Sequence, residues 1–313
     1  DDIGKRTLLA VHSYGINPDS SVAGGISNLM NMDGSNLNVA ETKALDAILT
    51  AGGKANLKSL GYDSVKFMGL RTDFAGENLL GAHTYALGSN QMEKKNIFES
   101  TVLLNALDGG QLTDELFDKV LDAIKADNAQ VFRATGFKYI GINGAREVDG
   151  MMVNPNLTYG INTTSDSLVL ARADVRDING KLLTGSKLEA VTKALQANNG
   201  AILKTWGMDT SSIASEQKIG GVDVMVTKNI SINPMSGQVM NVMEISGKNG
   251  LLEGTDLENV NKAIMAEDGI LKRDGKFNAI RVTGLRELGG DVKSFWGFAF
   301  SAPSTKMQVT ADF

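Results

Sequence analysis

The sequence predicts an α+β protein of tandem repeats, each about 70 residues of mostly antiparallel β-sheet with one amphipathic helix. Two observations predict it. One stretch switches from a helical to a strand period, and that stretch recurs at fixed shifts along the chain. Between the recurrences stand alternating segments closed by Pro, Asn, Ser or Gly, which is how hairpins read in sequence.

The clearest copy runs from Leu112 to Gly150. Leu112, Phe117, Val120, Leu121 and Ile124 fall on one helical face, with Asp114, Glu115, Asp118 and Lys119 mostly elsewhere. Thr113 followed by Asp114 and Glu115 suits a helix start, because a side-chain oxygen caps free amides and carboxylates favour the positive dipole end. Asp127-Asn128 breaks the period. From Phe137 the residues alternate through Tyr139 towards Ile140 and Ile142, the period of a strand. Gly144 and Gly150 then bracket an exit that carries Arg146.

Shifted by 140 positions without a gap, this template lands on Leu252 to Gly290, with Val120 on Val260, Phe137 on Phe277 and Gly144-Ala145-Arg146-Glu147 on Gly284-Leu285-Arg286-Glu287. A shift of 71 gives Leu183 to Gly221, with Val191 and Ala194-Leu195 in place, a weakened strand at Thr210-Ser211-Ser212-Ile213 and Gln217 where the arginine would be. A backward shift of 75 gives Leu37, Leu45, Val65, Phe67 and Gly69-Leu70-Arg71.

The hairpin block begins at Val11, Ala82, Asn156, Lys228 and Trp296, and four of these lead to Asp/Asn-Gly corners at residues 33, 108, 179 and 249. The division that follows is an amino-terminal β-hairpin over 1–32 and repeats over 33–105, 106–176, 177–246 and 247–313. The first hairpin has no helix–strand partner of its own.

The chain has 313 residues and 42% apolar content, enough for a sizeable core. A net charge of −5 with no basic tract argues against nucleic acid, whose phosphates demand clustered Lys and Arg. No apolar run reaches the roughly 18 to 20 residues that span a bilayer, so no transmembrane helix is expected. Without cysteine there are no disulfides and no thiolate chemistry. A start at Asp1 rather than Met predicts processing, and with it an extracellular, cell-surface or virion location.

Chemical motifs are thin. Arg71, Arg146 and Arg286 recur just after a Gly-apolar pair and are expected to act as structural braces, each guanidinium paired with carboxylates of an adjacent corner. Asp33, Asp174, Asp177 and Asn179 alternate like loop ligands and are the candidates for calcium, although they fit no EF-hand register and serve equally as turn residues. No other cofactor is expected. His12 and His83 read as strand residues in two copies of the hairpin block. Ser215-Glu216-Gln217-Lys218 matches S-x-x-K without its companion motifs. Asn156, Asn162 and Asn229 begin glycosylation sequons.

Repetition without a catalytic set favours a non-enzymatic, self-assembling structural subunit: a filament, sheath, tube or surface layer outside the cell or on a virion. The expected partner is the chain itself, with residues 1–32 as the contact, because LLAVHSYGI carries no lysine or proline to guard a strand edge. A surface adhesin or glycan-binding protein is the alternative, with an aromatic groove near Trp206 or Trp296 as its mark. A secreted hydrolase, whose carboxylates the sequence does not single out, is the third.

Overall fold

The computed structural model describes residues 7–16, 22–60, 62–90, 95–162, 165, 167–233, 235–266, 277–287, 293–296, 298–300 and 309–311. The fold is α+β with a large, mostly antiparallel sheet. The chain divides into two compact units, Asp1–Ala145 with Asn156–Ala171, and Arg146–Pro155 with Arg172–Phe313.

The first unit opens with a hairpin of β1 (Leu9–Ile16) and β2 (Val22–Met30), antiparallel as the alternating sequence predicts. Helix α1 (Val39–Leu60) leads to β3 (Ser64–Arg71), which pairs parallel with β2. Next come β4 (Leu79–Asn90) and β5 (Lys95–Asn105), each antiparallel to its predecessor. Helix α2 (Asp114–Thr135) then crosses to β6 (Tyr139–Ile142), parallel to β5. Antiparallel neighbours need only a turn between them, whereas a parallel pair needs a crossover, and here the crossover is a helix each time.

Helix α2 shows why these residues fold as they do. Phe117, Val120 and Ile124 are fully buried on one face. The carboxylates of Asp114 and Glu115 occupy its first turn, and Gly136 closes it in the left-handed conformation at φ 73°. Asp127-Asn128 does not end the helix as the broken period suggests. Asp127 and Ala129 take φ values of 47° and 61°, yet the helix runs on to Thr135. Ala129 and Phe132 are fully buried beyond the irregularity, so packing carries the helix past a poor local sequence. Helix α1 has a similar interruption at Gly53, φ 46°.

Helices α1 and α2 sit close over the segments that follow them. Leu37 bridges to Gly69 and Leu112 to Gly144. A β-carbon added at Gly69 would lie 2.1 Å from Thr42 Oγ1, and one added at Gly144 would lie 1.9 Å from Phe117 Cδ2. Only a hydrogen fits beneath the helix at these two points.

In the second unit β7 (Arg146–Val148) pairs with the start of β8 (Met151–Asn162), and the end of β9 (Ser167–Asp177) lies parallel to β10 (Thr210–Ile219) across α3 (Gly185–Thr205). Strands β10, β11 (Val222–Ile232) and β12 (Val239–Gly247) are antiparallel. After β13 (Leu252–Glu253), α4 (Gly254–Met265) crosses to β14 (Ala279–Val282), parallel to β12. The weakened strand is in fact a full ten-residue β10. Ser211 and Ser215 occupy its buried positions, so the inside-outside alternation is intact although its apolar signal is lost. The core of this unit gathers Val224, Val226, Ile245, Val260, Ile264 and Ile280. Beyond it, β15 (Gly284–Glu287) pairs with β16 (Lys293–Trp296), and β17 (Phe298–Phe300) pairs with β18 (Val309–Ala311).

Candidate functional site

The densest chemistry among the described residues lies in the first unit, where α1 packs on β3 and β4. Helix α1 turns Leu45 and Leu49 inward, and Asp46 and Thr42 lie buried beside that stripe. Strand β3 ends in Arg71, and Asp73 follows in the turn to β4. On β4 the two-residue period puts His83 and Tyr85 on the face beneath α1, with Phe67 of β3 directly opposite His83.

Asp46 is the hub. Its Oδ1 accepts hydrogen bonds from Tyr85 Oη at 2.7 Å and from His83 Nδ1 at 2.8 Å. Its Oδ2 accepts from Arg71 Nη1, while Arg71 Nη2 pairs with Asp73. Lys43 Nζ closes the chain at 2.9 Å from Asp73 Oδ1. The guanidinium also lies 5.1 Å from the centre of the Phe137 ring, and His83 stacks on Phe67 at 4.4 Å. A cavity of about 710 Å³ opens beside this network, bounded by Lys43, Asp46, Arg71 and Asp73 on one side and by Val131 and Ala134 of α2 on the other.

Burial pushes His83 below the ordinary histidine range despite its bond to Asp46, so the imidazole is neutral near pH 7 and donates Nδ1–H. Burial also drives the Tyr85 phenol far above its usual value, with the Asp46 charge adding to the effect. The Asp73 carboxyl is pulled up by burial, but Arg71 and Lys43 outweigh this and hold it below the usual value. Both carboxylates facing the cavity are therefore held by Arg71, and His83 Nε2 is buried without a hydrogen-bond partner among the described residues. This arrangement ties a helix to two strands.

Arg71 pairs with helical Asp46 and, second, with corner residue Asp73. Arg146 is buried on β7, and the Arg286 side chain lies outside the described residues. At the calcium candidates, Asp33 Oδ1 accepts the Ser35 amide at 2.9 Å, and Asp177 Oδ1 accepts the amides of Asn179 and Lys181 at 2.9 and 2.7 Å. Asp174 sits in β9 beside Arg176, away from the Asp33 corner in sequence. Among the described residues no group of three or more His, Asp or Glu side chains is placed to hold a metal ion.

Ser215 is buried within β10, whereas Lys218 pairs at the surface with Asp223, so S-x-x-K assembles no dyad. Asn229 lies mid-strand and accepts a bond from Ser212, while Asn162 stands exposed at a hairpin tip. Trp206 is buried, and the Trp296 side chain lies outside the described residues. Sequence reasoning missed Asp46 and Asp73. The available signal was a carboxylate beside the apolar stripe of α1, three residues before Leu49. No described helix is long and apolar enough to cross a membrane. The chain matches no protein-family model, and no curated protein matches it in sequence.

Proposed function

We propose that this chain is a non-enzymatic structural subunit that assembles with itself through the edge of its sheet, in a filament, sheath, tube or surface layer outside the cell or on a virion. The observation that carries this reading is strand β1. Among the described residues β1 pairs with β2 alone, and it presents Leu9, Val11 and Tyr14 to solvent at 38%, 47% and 59% exposure. Its other edge meets no strand among the described residues, and the strand carries no lysine or proline to deter pairing. A second copy that adds a strand there pairs with that edge, and a head-to-tail contact that does not close builds a polymer.

Tandem repetition belongs to the same proposal. The bridge from Leu37 to Gly69 recurs from Leu112 to Gly144 and from Leu252 to Gly284. Thr42, Phe117 and Leu257 each stand over the corresponding glycine. Val120, Ile124, Val191, Leu195, Val260 and Ile264, equivalent under the sequence shifts, are all buried. A chain of tandem repeats is suited to extension at its ends.

The test is the mass distribution across a concentration series, by sedimentation velocity, with electron microscopy of the untreated protein. Assembly that disappears in Val11→Lys while the circular dichroism spectrum stays unchanged supports the proposal. A chain that is monomeric at every concentration sinks it. The second reading, a surface glycan-binding protein, draws on one feature: exposed Tyr14 beside His12, whose ring stacks on Tyr62 at 4.8 Å. Quenching of tyrosine fluorescence by oligosaccharides, abolished in Tyr14→Ala, would favour it instead.

A further inference from the structure

The amino-terminal hairpin shows on its surface what two other strands of the chain bury. Val11-His12-Ser13-Tyr14-Gly15-Ile16-Asn17 corresponds in sequence to the block beginning at Ala82 and to the block beginning at Asn156. Tyr14 therefore stands where Tyr85 and Tyr159 stand, and His12 where His83 and Leu157 stand. Tyr85 and Tyr159 are 0% and 2% exposed, whereas Tyr14 is 59% exposed. His83 and Leu157 are buried, whereas His12 is exposed.

What covers the buried pairs is the same in both cases. Strand β3 lies antiparallel on β4 with Val65 against Tyr85 and Phe67 against His83. Strand β6 lies antiparallel on β8 with Ile140 against Tyr159 and Ile142 against Leu157. The helix preceding each of these strands reaches the tyrosine: Asp46 of α1 accepts the Tyr85 hydroxyl, and Lys125 of α2 lies 5.9 Å from the Tyr159 ring centre. On β1 the corresponding place is empty among the described residues, apart from Tyr62, whose hydroxyl meets His12 Nε2 at 3.0 Å.

We propose that the amino-terminal hairpin takes a further helix–strand segment built like α1 and β3, its strand antiparallel along β1 with apolar side chains facing Tyr14 and His12, and its helix lying over both. The inference rests on the repeat proposed above and names what the edge of β1 binds. The backbone bonds of the added strand supply affinity, and the alternate apolar side chains set register, since a slip by one residue turns them to the wrong face.

The chain carries such a segment itself, so the partner can be imitated. Residues 33–78, which contain α1, β3 and the turn into β4, are duplicated and joined ahead of Leu8, the counterpart of Leu79. The expected result is one further helix by circular dichroism and at least tenfold slower amide exchange across Leu9–Ile16. Tyr14→Phe should preserve both changes and Tyr14→Lys should abolish them. A duplicate that adds no helix and leaves β1 exchange unchanged overturns the inference, and so that a misfolded fusion is not mistaken for this, the synthetic peptide 39–71 is added to the intact chain. Failure of both probes to slow exchange in β1 refutes the proposal. Slowing of β1 exchange that instead follows the concentration of the intact chain, with both probes inert, also overturns it in favour of direct edge pairing between copies and leaves the self-assembly reading standing. Folding of the duplicate with assembly undiminished supports the inference and removes β1 from the self-assembly reading.

Discussion

Replacing Asp46 by alanine tests the buried network most directly. The substitution removes a carboxylate that accepts from three side chains at once, namely Arg71, His83 and Tyr85, of which Arg71 is only 3% exposed and Tyr85 fully buried. Breaking a buried ion pair from one side costs about 3–5 kcal/mol, because the remaining charge stays buried without compensation. Each neutral donor left unbonded adds about 1–3 kcal/mol. Two effects reduce the sum: Asp73 still pairs with Arg71, and water can enter from the adjoining cavity. The net expectation is about 4 kcal/mol, or about a thousandfold in the local opening equilibrium. Both tryptophans, Trp206 and Trp296, belong to the second compact unit, so their fluorescence is the wrong probe. Native-state hydrogen exchange over Val39–Leu60 reads the first unit directly, and its slowest amides should lose most of that free energy. A loss below about 1 kcal/mol, the scale of an exposed ion pair, would refute the reasoning.

Three further outcomes are expected. Because burial lowers the His83 pKa, the unfolded chain binds the extra proton first; the contribution is complete above the ordinary histidine value of 6.5 and is lost as pH falls below it. The melting temperature should therefore drop between pH 7 and 5, less steeply in His83→Leu, and equal slopes in the two proteins would contradict this assignment. Gly144→Ala should cost about 1–3 kcal/mol by forcing a methyl against Phe117, and Phe117→Leu, the residue type found over Gly284, should recover part of it in urea titrations. Chelator should leave the melting temperature unchanged, since the Asp33 and Asp177 carboxylates already accept turn amides; a drop that calcium reverses would show that ions bind at the corners.

Much of the local architecture was legible in the sequence because it depends on spacing alone. The start of α2, its buried Phe117, Val120 and Ile124, and the hairpin of β1 and β2 follow from periods of 3.6 and 2, which neighbouring residues set by themselves. The corner glycines were legible for a similar reason: Gly34, Gly109 and Gly180 take φ values of 81°, 82° and 75°, which other residues reach only with strain. Where contacts from distant segments decide, the sequence was silent or misleading. Strand β10 hides behind Ser211 and Ser215, polar residues that the folded chain buries. Helix α2 continues past Asp127 because Ala129 and Phe132 have a core to enter. Asp46 is tolerable inside only because Arg71, 25 positions away, brings it a countercharge, and His83 and Tyr85, 37 and 39 positions away, bring it donors. Burying a charge is a cost that the tertiary structure alone can offset, so no local pattern announces where it will happen.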